Sequence, residues 1–137
     1  MTNNTLKPKD LELELRHFTG DFIRYRHPLN QVVYTPGVRH LAEQTEAFWL
    51  IDAIASWIGS TTFNEAVGKS QRIGEMHFWE LNVNQDDKSA TLFAVEDSAM
   101  EPFISQSIPF TDFPLEKVNI WAGFDGQFWT LYLPSEH

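Results

Sequence analysis

The chain has 137 residues, 42% of them hydrophobic and 14% aromatic, which suits a single domain that buries roughly two thirds of its unfolded surface and excludes a disordered chain. It contains no cysteine, so thiol catalysis, cysteine-ligated zinc and iron–sulfur chemistry are ruled out. A net charge of −9 argues against direct nucleic-acid binding, which needs a surplus of Lys and Arg on the contact face.

The charge is unevenly placed. Residues 1–40 carry six basic groups against four acidic ones, whereas residues 41–137 carry four against fifteen. The first segment is therefore basic and the remainder strongly acidic, and the simplest expectation is that one lies across the other. Nowhere does the chain offer the run of about 18 apolar residues that a membrane span requires, and the N-terminus lacks an apolar core after its positive charges. A cytoplasmic protein of one domain, residues 1–137, is the expectation.

In chain order, Pro8 suits a first helical turn, and Leu11, Leu15 and Phe18 follow at helical spacing, with Glu12 four residues before Arg16. "FTGD" ends this helix. Pro28 biases His27 towards an extended conformation, and "QVVY" reads as a short strand before Thr35-Pro36-Gly37. A short helical turn follows from Val38 to Glu43. Thr45 then caps a main helix predicted from Glu46 to Ile58, stopped by Gly59. That helix, "EAFWLIDAIASWI", is apolar nearly all round and is expected to be surrounded by protein. "TFNEAVGKSQRIGEM" reads as a weak third helix or a loop.

From Met76 onward the pattern is β. "MHFWELNV" and "ATLFAV" flank the turn "NQDDKS", and a four-residue loop sets Trp79, Leu81 and Val83 opposite Ala94, Leu92 and Ala90. "FISQSI" supplies a further strand. A final hairpin joins "VNIWAGF" to "QFWTLYL" with Asp125-Gly126 as a two-residue turn, which pairs Phe124 with Gln127 and Ala122 with Trp129. Trp121, Phe128 and Tyr132 fall on the other face of this hairpin and need cover or a partner. The expected fold is α+β: an antiparallel meander of four or five strands in the C-terminal half, with N-terminal helices packed on one face.

Candidate chemistry centres on Asp52, a lone carboxylate inside the apolar helix. A buried, unpaired carboxylate costs several kcal/mol to ionise, so it must be partnered, protonated, or at the edge of the helix bundle. Arg24, Arg26, His27, Arg39 and His40 precede it and supply counter-charges. Two readings stay open: a structural ion pair tying the basic segment to the helix, and a functional carboxylate with a shifted pKa. His27, His40 and Asp52 have the ligand types of a two-histidine, one-carboxylate metal site, but their spacing does not support one, and adjacent arginines repel a cation. The Arg/His cluster is better suited to an anion. His77 falls on the expected core side of its strand, opposite Glu96, and a cross-strand pair with Glu96 at the sheet margin is the simpler account. No GxSxG, P-loop, GxGxxG or EF-hand pattern occurs, so no cofactor or metal is expected.

The blocks "LELELRHFTG", "YRHPL", "YTPGVRHLAE", "FWLIDAIAS", "TDFPL" and "LYLPSE" resemble those of a small bacterial family of unknown function, found in cyanobacteria and other bacteria, often among plasmid or mobile-element genes. The resemblance spans nearly the whole chain and implies a bacterial protein without implying a mechanism. Three functions remain in view. The first is a non-enzymatic interaction or regulatory module, binding another protein or itself through the aromatic sheet face. The second is a small enzyme or ligand-binding protein using Asp52 with residues 24–40. The third is an acidic DNA mimic that inhibits a nucleic-acid enzyme.

Overall fold

The computed structural model describes residues 7–19, 23–28 and 30–137. Four helices precede the main strands: α1 (Pro8–Leu15), α2 (Pro36–Thr45), α3 (Phe48–Trp57) and α4 (Thr61–Lys69). Thr35 caps α2, its hydroxyl accepting from the Val38 amide at 3.3 Å, and Pro36 occupies the first turn. The expected turn at Val38–Glu43 is thus a full helix. It runs on through Thr45, whose hydroxyl donates to the Leu41 carbonyl at 2.7 Å instead of capping the next helix. Glu46, at φ 54°, breaks the path, and α3 begins at Phe48 with no side-chain cap. Ser60 caps α4, so the segment read as helix or loop is helical. Of the predicted stop to the first helix, Gly20 and Asp21 lie outside the described residues.

Seven strands form one mixed sheet: β1 (Tyr25–Arg26), β2 (Val32–Tyr34), β3 (Met76–Asn84), β4 (Ser89–Val95), β5 (Ile104–Ile108), β6 (Lys117–Phe124) and β7 (Trp129–Tyr132). Their order across the sheet is β1-β2-β7-β6-β3-β4-β5. This corrects the four- or five-stranded antiparallel meander in two ways. The meander holds only for β3-β4-β5, since β6 returns to the far side of β3. In addition, β2 joins β7 in parallel, with Val32 beside Trp129 and Tyr34 beside Leu131, and carries β1 with it.

The β3–β4 register is the expected one, with Trp79 opposite Ala94, Leu81 opposite Leu92 and Val83 opposite Ala90. The β6–β7 hairpin differs from expectation: Phe124 faces Trp129 and Ala122 faces Leu131. The cause is the Asp125 side chain. Its carboxylate accepts from the Phe128 and Gln127 amides at 2.7 and 2.9 Å, which puts Gly126, at φ 100°, first in the turn. Those two donors hold the Asp125 carboxyl below the usual carboxylate range. A shift of two positions keeps every side chain on its own face.

One core lies between the helices and one face of the sheet. Leu11, Leu41, Leu50 and Ile54 from the helices meet Trp79, Leu81, Leu92, Ile120 and Leu131 from the strands, all buried. Each such side chain contributes roughly 1.5–3 kcal/mol by leaving water. Helix α3 buries Leu50, Ile51, Ile54 and Ala55 and turns its other side outward, so it is not apolar all round in its setting: Phe48 is 43% exposed and Ser56 is exposed.

Candidate functional site

Asp52 sits on that outward side of α3, with its side chain 69% exposed, so of the settings left open it takes the one at the edge of the helices. The helical period explains the placement, because Asp52 lies one turn from both Phe48 and Ser56 and about opposite the buried stripe. It nevertheless has the predicted kind of partner. The buried His27 donates through Nε2 to Asp52 Oδ1 at 2.8 Å, and Asn30 donates to the Ala55 carbonyl at 2.7 Å. These two bonds tie the chain after β1 to α3.

Arg26, Arg39 and His40, of the expected cluster, have other partners. Arg26 lies over the Phe128 ring at 5.5 Å, and Arg39 lies over the Tyr25 ring at 4.4 Å and 3.8 Å from Glu43. His40 pairs with Glu14 and packs on Phe18. The histidines His27 and His40 are thus engaged by different carboxylates, and none of the cavities described below is lined by Asp52, His27 or Arg39.

His77 lies on the core side of β3, as expected, but it does not pair with Glu96. Glu96 lies beyond the end of β4 and turns to Arg72, 3.6 Å away. His77 itself is fully buried among Phe63, Trp79, Phe103 and Trp129, with ring centroids 4.8–5.7 Å from its own. Its Nδ1 donates to the Ile73 carbonyl at 3.1 Å, and its Nε2 has no hydrogen-bond partner. Burial in this apolar box, opposed by the Ile73 bond, brings its pKa down to about 4.

The more extensive site is the sheet face turned away from the helices. Cross-strand registers place Tyr132 beside Trp121, Trp121 beside Phe78 and Phe78 beside Val95, so four adjacent strands carry one continuous apolar row. The Phe78 and Trp121 rings meet edge to face at 5.2 Å, and Trp121 also touches Tyr132. The next row is Asn119, Glu80, Phe93 and Ser105. All four residues of the apolar row are half-buried rather than covered. Phe78, Val95 and Trp121, together with the 97–102 loop, which brings Asp97 and Met100, line a groove of about 740 Å³, and Tyr132 flanks it beside Trp121.

Sequence reasoning found Trp121 and Tyr132 and missed Phe78, Phe93 and Val95. The signal was present, because the register that sends Trp79 and Ala94 to the core sends their immediate neighbours to the opposite face. Phe128 does not line this groove; it stands at the β6–β7 turn under Arg26. At the groove's other end the closing turn folds back. Pro134 lines the groove, and His137 stacks on Tyr132, its Nδ1 3.0 Å from the Tyr132 hydroxyl. Glu136 reaches the start of α2. Its carboxylate accepts from the Thr35 hydroxyl at 2.6 Å, the Leu133 amide at 2.9 Å and the Gly37 amide at 3.3 Å. That position suits an anion because it faces the free amides and positive dipole end of a helix.

No curated protein matches the chain. Among solved structures, a protein of unknown function from Enterococcus faecalis is similar, with 19% identity over 85% of this chain and 93% of that one and a TM-score of 0.47. The model of a family of unknown function, DUF6876, matches residues 9–137, and the chain belongs to that family.

Proposed function

We infer that the protein is a non-enzymatic interaction module that docks a basic, apolar segment of a partner protein on the open face of its sheet. The observation that carries this reading is the row Tyr132–Trp121–Phe78–Val95, a contiguous half-buried aromatic strip on rigid strands. Large rings on strands offer contact area at little entropic cost and are the residue types that dominate binding energy at interfaces. Charge favours a basic partner. Glu80 and Asp97 line the groove but are each 3.6 Å from a cation, Lys117 (also in the lining) and Arg72, so the preference comes from the net −9 of the whole chain, which draws in a cationic segment and repels an acidic one.

Nitrogen-edited NMR titration with a Lys/Leu amphipathic peptide and its Glu/Leu counterpart tests this. The basic peptide is expected to shift the amides of Phe78, Glu80, Phe93, Val95 and Trp121, and the acidic one to leave them in place. Trp121→Ala is expected to weaken the binding about tenfold, as loss of a central ring does. Silence with the basic peptide, or shifts confined to the helices, refutes the reading.

A second reading, an enzyme or small-ligand protein built on Asp52, draws on the 2.8 Å contact between His27 and Asp52. The histidine is spent on that contact and the carboxylate faces solvent, an arrangement that supports a clip between the 27–30 segment and α3 better than a catalytic pair.

A further inference from the structure

The two outer strands of the sheet are treated differently. The β1 edge is two residues long and carries Arg26, which is how natural sheets blunt an edge against unwanted pairing. The β5 edge has no such protection. Residues 102–111, "PFISQSIPFT", contain no charged group in a chain with nineteen acids, and the two prolines stand outside the strand. Among the described residues, the backbone hydrogen bonds of Ile104–Ile108 run to β4, and none is recorded on the outer side.

The strand is also a palindrome. Ile104-Ser105-Gln106-Ser107-Ile108 reads the same in both directions. An antiparallel strand pair related by a two-fold axis through Gln106 therefore sets Ile104 against Ile108 and Ser105 against Ser107, like against like on both sides of the axis. Such a contact is isologous and closes on itself, as a symmetric dimer requires.

Apolar surface lies beside this edge. Phe110 is 70% exposed two residues beyond β5, and with Trp49 and Ile108 it forms the apolar part of a cavity of about 370 Å³ that Glu46 and Asp112 also line. Trp57 of α3 donates to the Gln106 side chain at 2.7 Å, which fixes the helix next to the strand. A five-residue strand pair alone is small against the roughly 1,200–2,000 Å² that stable interfaces bury, so the neighbouring rings have to contribute.

We propose that the outer edge of β5 pairs antiparallel with the same edge of a second copy of this chain, about a two-fold axis at Gln106, with Phe110 and Trp49 packed at the margins. A second copy fits this edge because the palindrome sets apolar against apolar and hydroxyl against hydroxyl across the axis. The pairing is independent of partner docking on the open face. It joins two sheets edge to edge and leaves both grooves accessible on one continuous surface.

Light scattering coupled to size exclusion tests the proposal. The protein is expected to have dimer mass. Ser105→Lys with Ser107→Lys, and separately Ser105→Glu with Ser107→Glu, are each expected to give monomers with unchanged circular dichroism, because the exposed side chains then face like charges across the axis. An equimolar mixture of the two double variants is expected to recover dimer mass. Trp121→Ala is expected to leave the dimer intact. A monomeric parent protein at its highest soluble concentration overturns the proposal. So does a dimer that survives in both charged variants, or one lost in Trp121→Ala, which assigns the contact to the open face. Should either charged variant misfold, hydrogen exchange of the parent decides: outer amides of Ile104–Ile108 protected at high concentration and released on dilution support the edge contact, and concentration-independent exchange refutes it.

Discussion

Acidification from pH 7 to pH 4.5 should cost the fold about 2.5 kcal/mol through His77 alone. This ring is fully buried with Nε2 unpartnered, and its pKa stands at about 4 against an ordinary 6.5. The unfolded chain binds a proton as pH falls through 6.5, while the native state refuses it until about 4. Stability is therefore complete above 6.5, is lost progressively between 6.5 and about 4, and levels off below that. A shift of about 2.5 units is worth roughly 3.4 kcal/mol over the full window, of which about 2.5 falls above pH 4.5. Against a total of about 5–15 kcal/mol, that is a large fraction. The assay is urea unfolding at several pH values between 7 and 4.5, for the parent protein and for His77→Leu. The variant leaves the Ile73 carbonyl without its donor, at a cost of about 1–3 kcal/mol at pH 7. Its stability is nevertheless expected to decline less steeply, by up to about 1.4 kcal/mol per pH unit. All other titrating groups are common to both proteins and cancel in the difference. Parallel stability curves for the two refute the argument.

Two further substitutions probe the front half of the molecule. A Cβ on Gly37 would stand 2.6 Å from the Glu136 carboxylate, so Gly37→Ala is expected to displace that side chain from Thr35 and the α2 amides and to cost about 1–2 kcal/mol in chemical denaturation. Glu136→Ala should cost a similar amount and the double variant no more than either, whereas additive losses would show that the two do not act through one contact. Asp52→Asn is expected to lower stability by less than about 1 kcal/mol, because its side chain is mostly in water and Asn30 independently holds the same segment to α3. A loss above about 2 kcal/mol by urea titration would restore the carboxylate as the principal anchor of the 27–30 segment.

Local patterns carried the strands further than they carried the sheet. The β3–β4 register was legible because a strict alternation on both strands leaves one way to bury Trp79, Leu81 and Val83 together. The hairpin register was missed by two because Asp125-Gly126 was read as the central pair of the turn, while the Asp125 carboxylate caps the amides of the next residues. Hydrophobic pattern is blind to that error, since a slip of two preserves both faces. Strands β1 and β2, two and three residues long, are too short to show a period, and their attachment to β7 is set by contacts remote in sequence. For α3 the period was available and misapplied. The apolar residues adjacent in sequence to Asp52 made it look buried, although its neighbours in space, one turn away, are the exposed Phe48 and Ser56.

The same distinction decides the aromatic site. The sequence placed Trp121, Phe128 and Tyr132 on one face of a hairpin, a property of two strands. Whether those rings form a binding surface depends on which strand lies next to β6. In a simple meander that neighbour is β5, whose outward residues are Ser105 and Ser107, and the rings would end in a polar margin. Because β6 instead returns beside β3, Trp121 meets Phe78, and Phe78 in turn meets Val95. The aromatic pair Trp121–Tyr132 and the apolar pair Phe78–Val95, from separate hairpins, thereby become one strip crossing four strands. The crossover between β5 and β6 also leaves β5 at the margin, uncharged and palindromic, so one topological choice creates both the face proposed for docking and the edge proposed for self-pairing. Neither surface is a property of any segment read alone, which is why residue patterns identify the rings and the strand but not the surfaces they form.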